Sequence, residues 1–193
     1  MGVEFELKFR ANAQTLTAMD EAITGPRQVL QMQTTYYDTA DKDLARQRHT
    51  LRRRMENDRS VCTLKAPAPD GGRLEFETES PKIEEAVPVL CKLSEDASLA
   101  SLLEKGLVEV CGAKFTRIAK TVTLPDCTVE LALDAGVLIG GDRELPLWEV
   151  EVELKSGSRQ ACLAYAAQLA LAYGLEQEKL SKFRRALDLA EGV

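Results

Sequence analysis

The chain has 193 residues, of which 45% are hydrophobic, and this length is enough for one sizeable core and predicts a single domain spanning residues 1–193. Its 25 basic and 31 acidic side chains give a formal net charge of −6, which argues against a nucleic-acid coat or a membrane-surface protein. Five scattered cysteines without a C-x-x-C pair and a single histidine argue against a zinc site or a Ser-His-Asp array.

Period-two alternation dominates the chain and predicts about eight strands with a minority of helices. The first strand runs from Val3 to Arg10, and a helix from Asn12 to Thr24 follows it, ended by Gly25-Pro26. The other predicted strands are 29–38, 50–56, 60–66, 73–78, 113–124, 128–137 and 147–155. The other predicted helices are 81–92, 95–106, 158–173 and 180–189.

The polar faces of these strands are sorted by charge. Carboxylates share a face on the first strand and on the last, whereas Arg52 and Arg54 share a face in the middle of the chain. Like charges in a row repel one another, so each set needs compensation. The two sets either form ion pairs on an outer surface or line a common cavity that holds a divalent cation and a polyanion. The regular apolar alternation favours the cavity, with the apolar faces turned outward and covered by amphipathic helices.

A hard cation such as Mg²⁺ takes oxygen ligands and bridges naturally to phosphate oxygens, and Glu-x-Glu on a strand supplies such ligands. Arginine and lysine would then bind the rest of a phosphate chain. A triphosphate fits better than a monophosphate, because at least six basic residues fall on candidate inward faces.

The sequence Glu4-Phe5-Glu6-Leu7-Lys8 resembles the E-x-E-x-K motif at the N-terminus of the CYTH superfamily, the triphosphate tunnel metalloenzymes. The segment Leu180-Ser181-Lys182 with Arg185 resembles the region after the last long helix of bacterial inorganic triphosphatases. Further matching segments occur in the expected order: Tyr36 to Thr39, Leu51 to Arg54, Thr63 to Lys65, Arg73 to Glu77, Arg117, Leu133-Asp134 and Glu151 to Leu154.

This resemblance implies an α+β fold, an eight-stranded antiparallel β-barrel that forms a triphosphate tunnel and is surrounded by helices. The implied activity is metal-dependent hydrolysis of inorganic triphosphate to pyrophosphate and phosphate, with Mg²⁺ or Mn²⁺ as cofactor. The alternatives are an adenylate cyclase or a thiamine triphosphatase of the same superfamily, a non-catalytic polyphosphate or nucleotide sensor, and a plain β domain with solvated charges.

The resemblance also assigns roles to residues. The expected metal ligands are Glu4, Glu6, Asp134, Glu151 and Glu153. The expected catalytic residues are Glu4, Glu6, Lys8 and Asp134. The expected substrate-binding residues are Lys8, Arg52, Arg54, Lys65, Arg73, Arg117, Lys182 and Arg185. Glu149 could be a third ligand on its strand or a rim residue, and strand parity turns Lys120 away from Arg117.

The expected partner is a small molecule that contains a triphosphate, and neither nucleic acid nor membrane is expected to bind. A homodimer is left open by the sequence. No run of about 18 apolar residues occurs and the N-terminus is charged, so we expect a cytoplasmic protein.

Overall fold

The computed structural model describes residues 5–68, 73–96, 99–101 and 105–193, so the predicted ligand Glu4 lies outside the described residues. Nine strands pair antiparallel in the order β5-β4-β3-β2-β6-β7-β8-β1-β9 within this part of the chain. The strands are β1 (Glu6–Arg10), β2 (Arg27–Asp38), β3 (Thr50–Glu56), β4 (Arg59–Pro67), β5 (Arg73–Glu79), β6 (Val108–Thr123), β7 (Cys127–Gly140), β8 (Arg143–Gly157) and β9 (Glu176–Gln177).

The sheet confirms the antiparallel α+β prediction. Eight of its strands match the predicted ones, and the ninth is a two-residue strand that pairs with β1 at Phe9 and Arg10. The ladder of the described strands ends at β5 on one side and β9 on the other, so strand pairing does not itself close the predicted barrel. The sheet is nevertheless curled: residues of β1 and β8 line the same cavity as residues of β3, β4 and β5, which lie far from them in the strand order.

Helices cover the apolar face of the sheet. The helices with assigned bounds are α1 (Ala13–Ala22), α2 (Asp43–Arg46), α3 (Ile83–Ser94), α4 (Arg159–Tyr173) and α5 (Lys182–Glu191). Asn12, Ser158 and Ser181 cap α1, α4 and α5 by accepting a backbone N–H three residues ahead. The predicted start of the helix at 95–106 is wrong, because α3 runs to Ser94 and Glu95 ends it in the left-handed region, with φ 55°. Residues 99–101 are helical, and residues 97–98 and 102–104 lie outside the described residues.

The apolar sides of β1, β7 and β8 pack under α1 and α4. Leu131, Leu133, Val150 and Val152 are essentially inaccessible to solvent and lie in one cluster with Met19. A second cluster joins β3, β4 and β5 to α3. The alternation that buries these residues turns the charged residues of the same strands to the opposite, concave face.

The hairpin between β7 and β8 is longer than predicted. It turns at Gly141, which has φ 63°, and Pro146 of β8 lies beyond the end of β1, where the strand has an open side. In this extension the concave face is apolar: it carries Leu138 and Leu147, and Ala186 and Leu187 of α5 pack against them. Helix α5 therefore covers the apolar end of the concave face and leaves its charged end open.

Candidate active site

A cavity of about 530 Å³ lies on the charged part of the concave face. Predicted residues from six strands and from α5 line it: Glu6, Lys8, Arg52, Arg54, Lys65, Arg73, Arg117, Glu151, Glu153 and Lys182. Other lining side chains that sequence reasoning missed are Tyr36, Thr50, Lys179 and Arg184. Tyr36 lies opposite Arg52 and Thr50 lies opposite Lys65 on neighbouring strands. Directly opposed residues share a face of the sheet, so this pairing could have predicted that both side chains face the cavity.

Arg54 is the most deeply placed cation of the basic wall. It is 9% exposed, and its Nε donates to the Thr34 hydroxyl at 3.1 Å. No salt bridge joins it to a carboxylate among the described residues. Burial, with the Arg52 guanidinium as the next cause, lowers the pKa of Arg54 to about 10, so the group still carries its charge at neutral pH. A buried cation in this setting needs an anionic partner that the cavity can admit.

The neighbouring cations are partly balanced by one carboxylate. Lys65 Nζ lies 2.8 Å from Glu75 Oε1, and Arg52 Nη2 lies 3.5 Å from the same atom. Arg73 donates to the Thr50 hydroxyl at 3.2 Å, which places its guanidinium beside Lys65. Among the described residues, the four cations of this wall, Arg52, Arg54, Lys65 and Arg73, outnumber the β5 carboxylates on the same face, Glu75 and Glu77.

The acidic wall is formed by the pairing of β1 with β8. Lys8 lies opposite Glu151 and Arg10 lies opposite Glu149, so two cross-strand pairs combine opposite charges. The third pair sets Glu6 directly opposite Glu153, and both carboxylates line the cavity. Like charges directly opposite each other are unfavourable, and a divalent cation between them would relieve the repulsion.

Between the two walls lies a buried cluster of opposite charges. Asp134, which is fully buried, accepts two hydrogen bonds of 2.7 Å from Arg117 and lies 2.8 Å from Lys182 Nζ. Glu151 accepts from Arg117 and, at 2.7 Å, from Lys182. Glu149, also fully buried, accepts from Lys182 and from Arg185. The cluster fixes the ends of Arg117 and Lys182 where they meet the cavity.

The pKa values in this cluster follow from burial and pairing. Burial alone would raise the pKa of Glu151, but Lys182 and Arg117 outweigh it and hold that pKa well below its usual range. Burial would lower the pKa of Lys182, yet Asp134, Glu151 and Glu149 raise it. For Glu149 burial is the largest cause and its pKa is raised. At neutral pH Lys182 is thus a firmly charged ammonium.

Two acidic groupings could hold a metal ion, and their chemistry differs. Oxygens of Asp134, Glu149 and Glu151 lie within 4.8 Å of one another, but the ammonium of Lys182 contacts all three. A divalent ion there would have to displace a resident cation. Glu6 and Glu153 face the cavity at 29% and 26% side-chain exposure and offer carboxylate oxygens suited to Mg²⁺ or Mn²⁺. Each also has a lysine beside it, Lys8 Nζ at 3.4 Å from Glu6 and Lys155 Nζ at 2.9 Å from Glu153, but these lysines are more exposed than Lys182. The donor set at Glu6 and Glu153 is therefore the better fit, because a cation exchanges more easily there than in the buried cluster.

Of the predicted site residues that the structure describes, two do not line the cavity. Asp134 lies beneath it, with its oxygens engaged by Arg117 and Lys182. Arg185 was expected to bind substrate, but its guanidinium turns to Glu149 and Glu178 and borders a second cavity of about 500 Å³. Lys120 donates to backbone oxygens of Asp20 and Ile23 on the other face, as its parity predicted.

These features define an α+β protein with a cavity in which carboxylates on one wall face guanidinium and ammonium groups on the other. The sequence matches the CYTH domain family over residues 2–187, so the chain belongs to that family. In the part of the chain that the structure describes, no helix has the length and apolar character needed to cross a membrane.

Individual relatives agree with this assignment. The chain is 31% identical over 153 residues to an inorganic triphosphatase of Haemophilus influenzae, covering 78% of this chain but only 44% of that protein. It is similar in structure to a Pyrococcus horikoshii protein, with a TM-score of 0.61 and 21% identity over 96% of this chain and 99% of the other. It is also similar to a Hippeastrum protein described as a candidate adenylyl cyclase with a dominant triphosphatase activity, with a TM-score of 0.61 and 20% identity over 98% and 96% of the chains.

Proposed function

We propose that the protein is a metal-dependent inorganic triphosphatase, which hydrolyses tripolyphosphate to pyrophosphate and phosphate within the charged cavity. The observation that carries the proposal is Arg54, a buried guanidinium that lines the cavity and is hydrogen-bonded there to a hydroxyl rather than to a carboxylate. A phosphate chain supplies the anion that this wall needs. The similarity to the Haemophilus influenzae triphosphatase supports the choice of substrate.

In this proposal the curled sheet acts as the predicted triphosphate tunnel of a single domain over residues 1–193. Arg52, Arg54 and Lys65 bind the phosphate oxygens on one side, with Arg73 at the edge. On the other side Lys8, Arg117 and Lys182 face the chain between the carboxylates. A phosphate chain held from both sides is kept in line for attack by water on a terminal phosphorus.

The proposed metal ligands are Glu6 and Glu153, joined by Glu4, which lies outside the described residues. Mg²⁺ or Mn²⁺ held by these carboxylates would supply positive charge that offsets the negative charge developing on the reacting phosphate. Both oxygens of the expected ligand Glu151 are engaged by Arg117 and Lys182, so we assign Glu151 the role of holding these two cations. We assign Asp134 a positioning role, because it holds Arg117 and Lys182 rather than facing the cavity. In the reaction, the oxygen of water bonds to phosphorus, the phosphoanhydride bond breaks, and pyrophosphate leaves.

Release of phosphate from tripolyphosphate with Mg²⁺ or Mn²⁺ tests the proposal, with ATP and thiamine triphosphate as competing substrates. We expect one phosphate and one pyrophosphate for each tripolyphosphate, with turnover lost in Lys65→Ala. The control is Glu79→Gln, since Glu79 is exposed and paired with Arg59 away from the cavity. Formation of a cyclic nucleotide from ATP, selective turnover of thiamine triphosphate, or tight binding without turnover would each refute the proposed activity.

A further inference from the structure

The segment between α4 and α5 contains a buried carboxylate, Glu178, that joins the first strand to the last helix. Glu178 is 3% exposed, and its Oε2 accepts from Arg10 Nε at 2.6 Å. Its Oε1 accepts from the backbone N–H of Leu180 at 2.8 Å, and its own N–H donates to the carbonyl of Lys8 at 2.8 Å. This single residue therefore fixes the backbone that leads into α5 against β1.

From Glu178 a line of alternating charges leads to the cavity. Arg185 Nη1 lies 3.5 Å from Glu178 Oε2, and the Nη2 of the same guanidinium donates to Glu149. Glu149 in turn accepts from the ammonium of Lys182. Lys182 lines the cavity, whereas Glu149, Arg185 and Glu178 are not among its lining residues. The line therefore ends in one cavity-facing group.

Lys182 depends on this support because its ammonium ends a flexible four-carbon stem. Its position is set by the carboxylates around it, and the second oxygen of one of them, Glu149, is held by Arg185. Without Glu178, Arg185 loses one acidic neighbour and the N–H of Leu180 loses its acceptor two residues before α5. The first turn of α5, which contains Lys182, then loses the two side-chain contacts of Glu178, while the backbone bond to the Lys8 carbonyl remains.

We infer that Glu178 is a positioning residue that acts through Arg185 and Glu149 to place the ammonium of Lys182 against the bound substrate. The inference rests on the proposed function, since it takes Lys182 to contact the phosphate chain. Arg185 belongs to the same device, which explains why its guanidinium turns from the cavity to Glu149.

A double-mutant cycle of Glu178→Ala and Lys182→Ala tests the inference, with kcat/KM for tripolyphosphate as one readout. Calorimetric Kd for tripolyphosphate, measured with and without Mn²⁺, is the other. Loss of one charge-assisted hydrogen bond predicts that Glu178→Ala has a kcat/KM about 10-fold lower and a Kd about 10-fold higher than the wild type. In the Lys182→Ala background the same change is expected to alter either readout by less than about twofold, because the group it positions is gone.

Two further variants separate positioning from stability. Glu178→Gln keeps an acceptor for the Leu180 N–H and loses the charge, so it should fold and show an intermediate loss of affinity. Asp20→Ala removes another carboxylate, 21% exposed, that holds two cations, Arg27 and Lys120, on the far face of the sheet. It should lower the melting temperature without changing kcat/KM.

The outcomes distinguish this inference from the proposed function. If the wild type is active and the two losses multiply in the double variant, Glu178 is only structural and the inference is wrong while the activity stands. If Glu178→Gln matches the wild type in Kd and in kcat/KM, the inference is also wrong. A wild type that neither binds nor hydrolyses tripolyphosphate refutes the proposed function and the inference together.

Discussion

Replacing Arg54 by methionine should separate binding from stability. In the ligand-free protein Arg54 is a buried cation beside Arg52, and its Nε donates a hydrogen bond to the Thr34 hydroxyl. Replacing a buried charge by an apolar side chain of similar size is often neutral or stabilising, so the unfolding free energy should stay within about 1 kcal/mol of the wild type or rise. With tripolyphosphate bound, the variant lacks a hydrogen bond between charged groups worth about 1.5–3 kcal/mol.

The expected result is an increase in the Kd for tripolyphosphate of about 10- to 100-fold, measured by calorimetry, with an unchanged or higher melting temperature. Arg59→Met is the matched control, because Arg59 lies on the adjoining strand β4, is exposed and pairs with Glu79. It should leave the Kd unchanged. Destabilisation of the ligand-free protein by Arg54→Met together with an unaltered Kd would refute the reasoning, since Arg54 would then be a structural cation.

Three further predictions concern the metal, α5 and a salt bridge away from the cavity. Glu6→Gln should raise the metal concentration needed for half-maximal turnover at least about 10-fold, while metal-free tripolyphosphate affinity stays the same or increases; an unchanged metal titration would contradict the assignment. Gly140→Ala should lower both melting temperature and kcat/KM, because its Cβ would lie 2.4 Å from the backbone N of Ala190 in α5. Asp20 has a pKa of about 2, lowered from 3.8 chiefly by its hydrogen bonds from Arg27. The stability that this carboxylate supplies, about 1 kcal/mol, is therefore complete above the unfolded pKa and lost as pH falls through the folded one, so the unfolding free energies of Asp20→Asn and the wild type should converge towards pH 2.

The strands could be predicted because their pattern is local. Alternation of apolar and charged residues placed all eight long strands, and parity put Arg52 and Arg54 on one face and turned Lys120 away from Arg117. The two-residue β9 and the four-residue α2 are too short to show a period, and they form because the surrounding chain holds them. The length of the hairpin at Gly141 was underestimated because a proline such as Pro146 is unusual in a strand. Only the strand pairing shows that β1 does not reach Pro146, so that β8 is open on that side there.

Depth within the charged face could not be predicted. Parity places Asp134 and Glu149 on the same side of the sheet as the cavity, but it does not reveal that α5 inserts Lys182 above them. Helical spacing likewise places Lys182 and Arg185 one turn apart. It does not reveal that Glu149 accepts hydrogen bonds from both side chains, or that only Lys182 also lines the cavity. Glu178 lies in an irregular segment with no periodic pattern, so its contacts with β1 and α5 emerge only from the tertiary structure.

The central claim is that a triphosphate and a divalent cation occupy the cavity between two walls of opposite charge. A crystal structure with tripolyphosphate and Mn²⁺, in which anomalous scattering locates the metal, tests it most directly. We expect phosphate oxygens within hydrogen-bond distance of Arg54 and Lys182, and Mn²⁺ between Glu6 and Glu153. Phosphate bound outside the cavity, or Mn²⁺ among Asp134 and Glu149 with Lys182 displaced, would contradict the account.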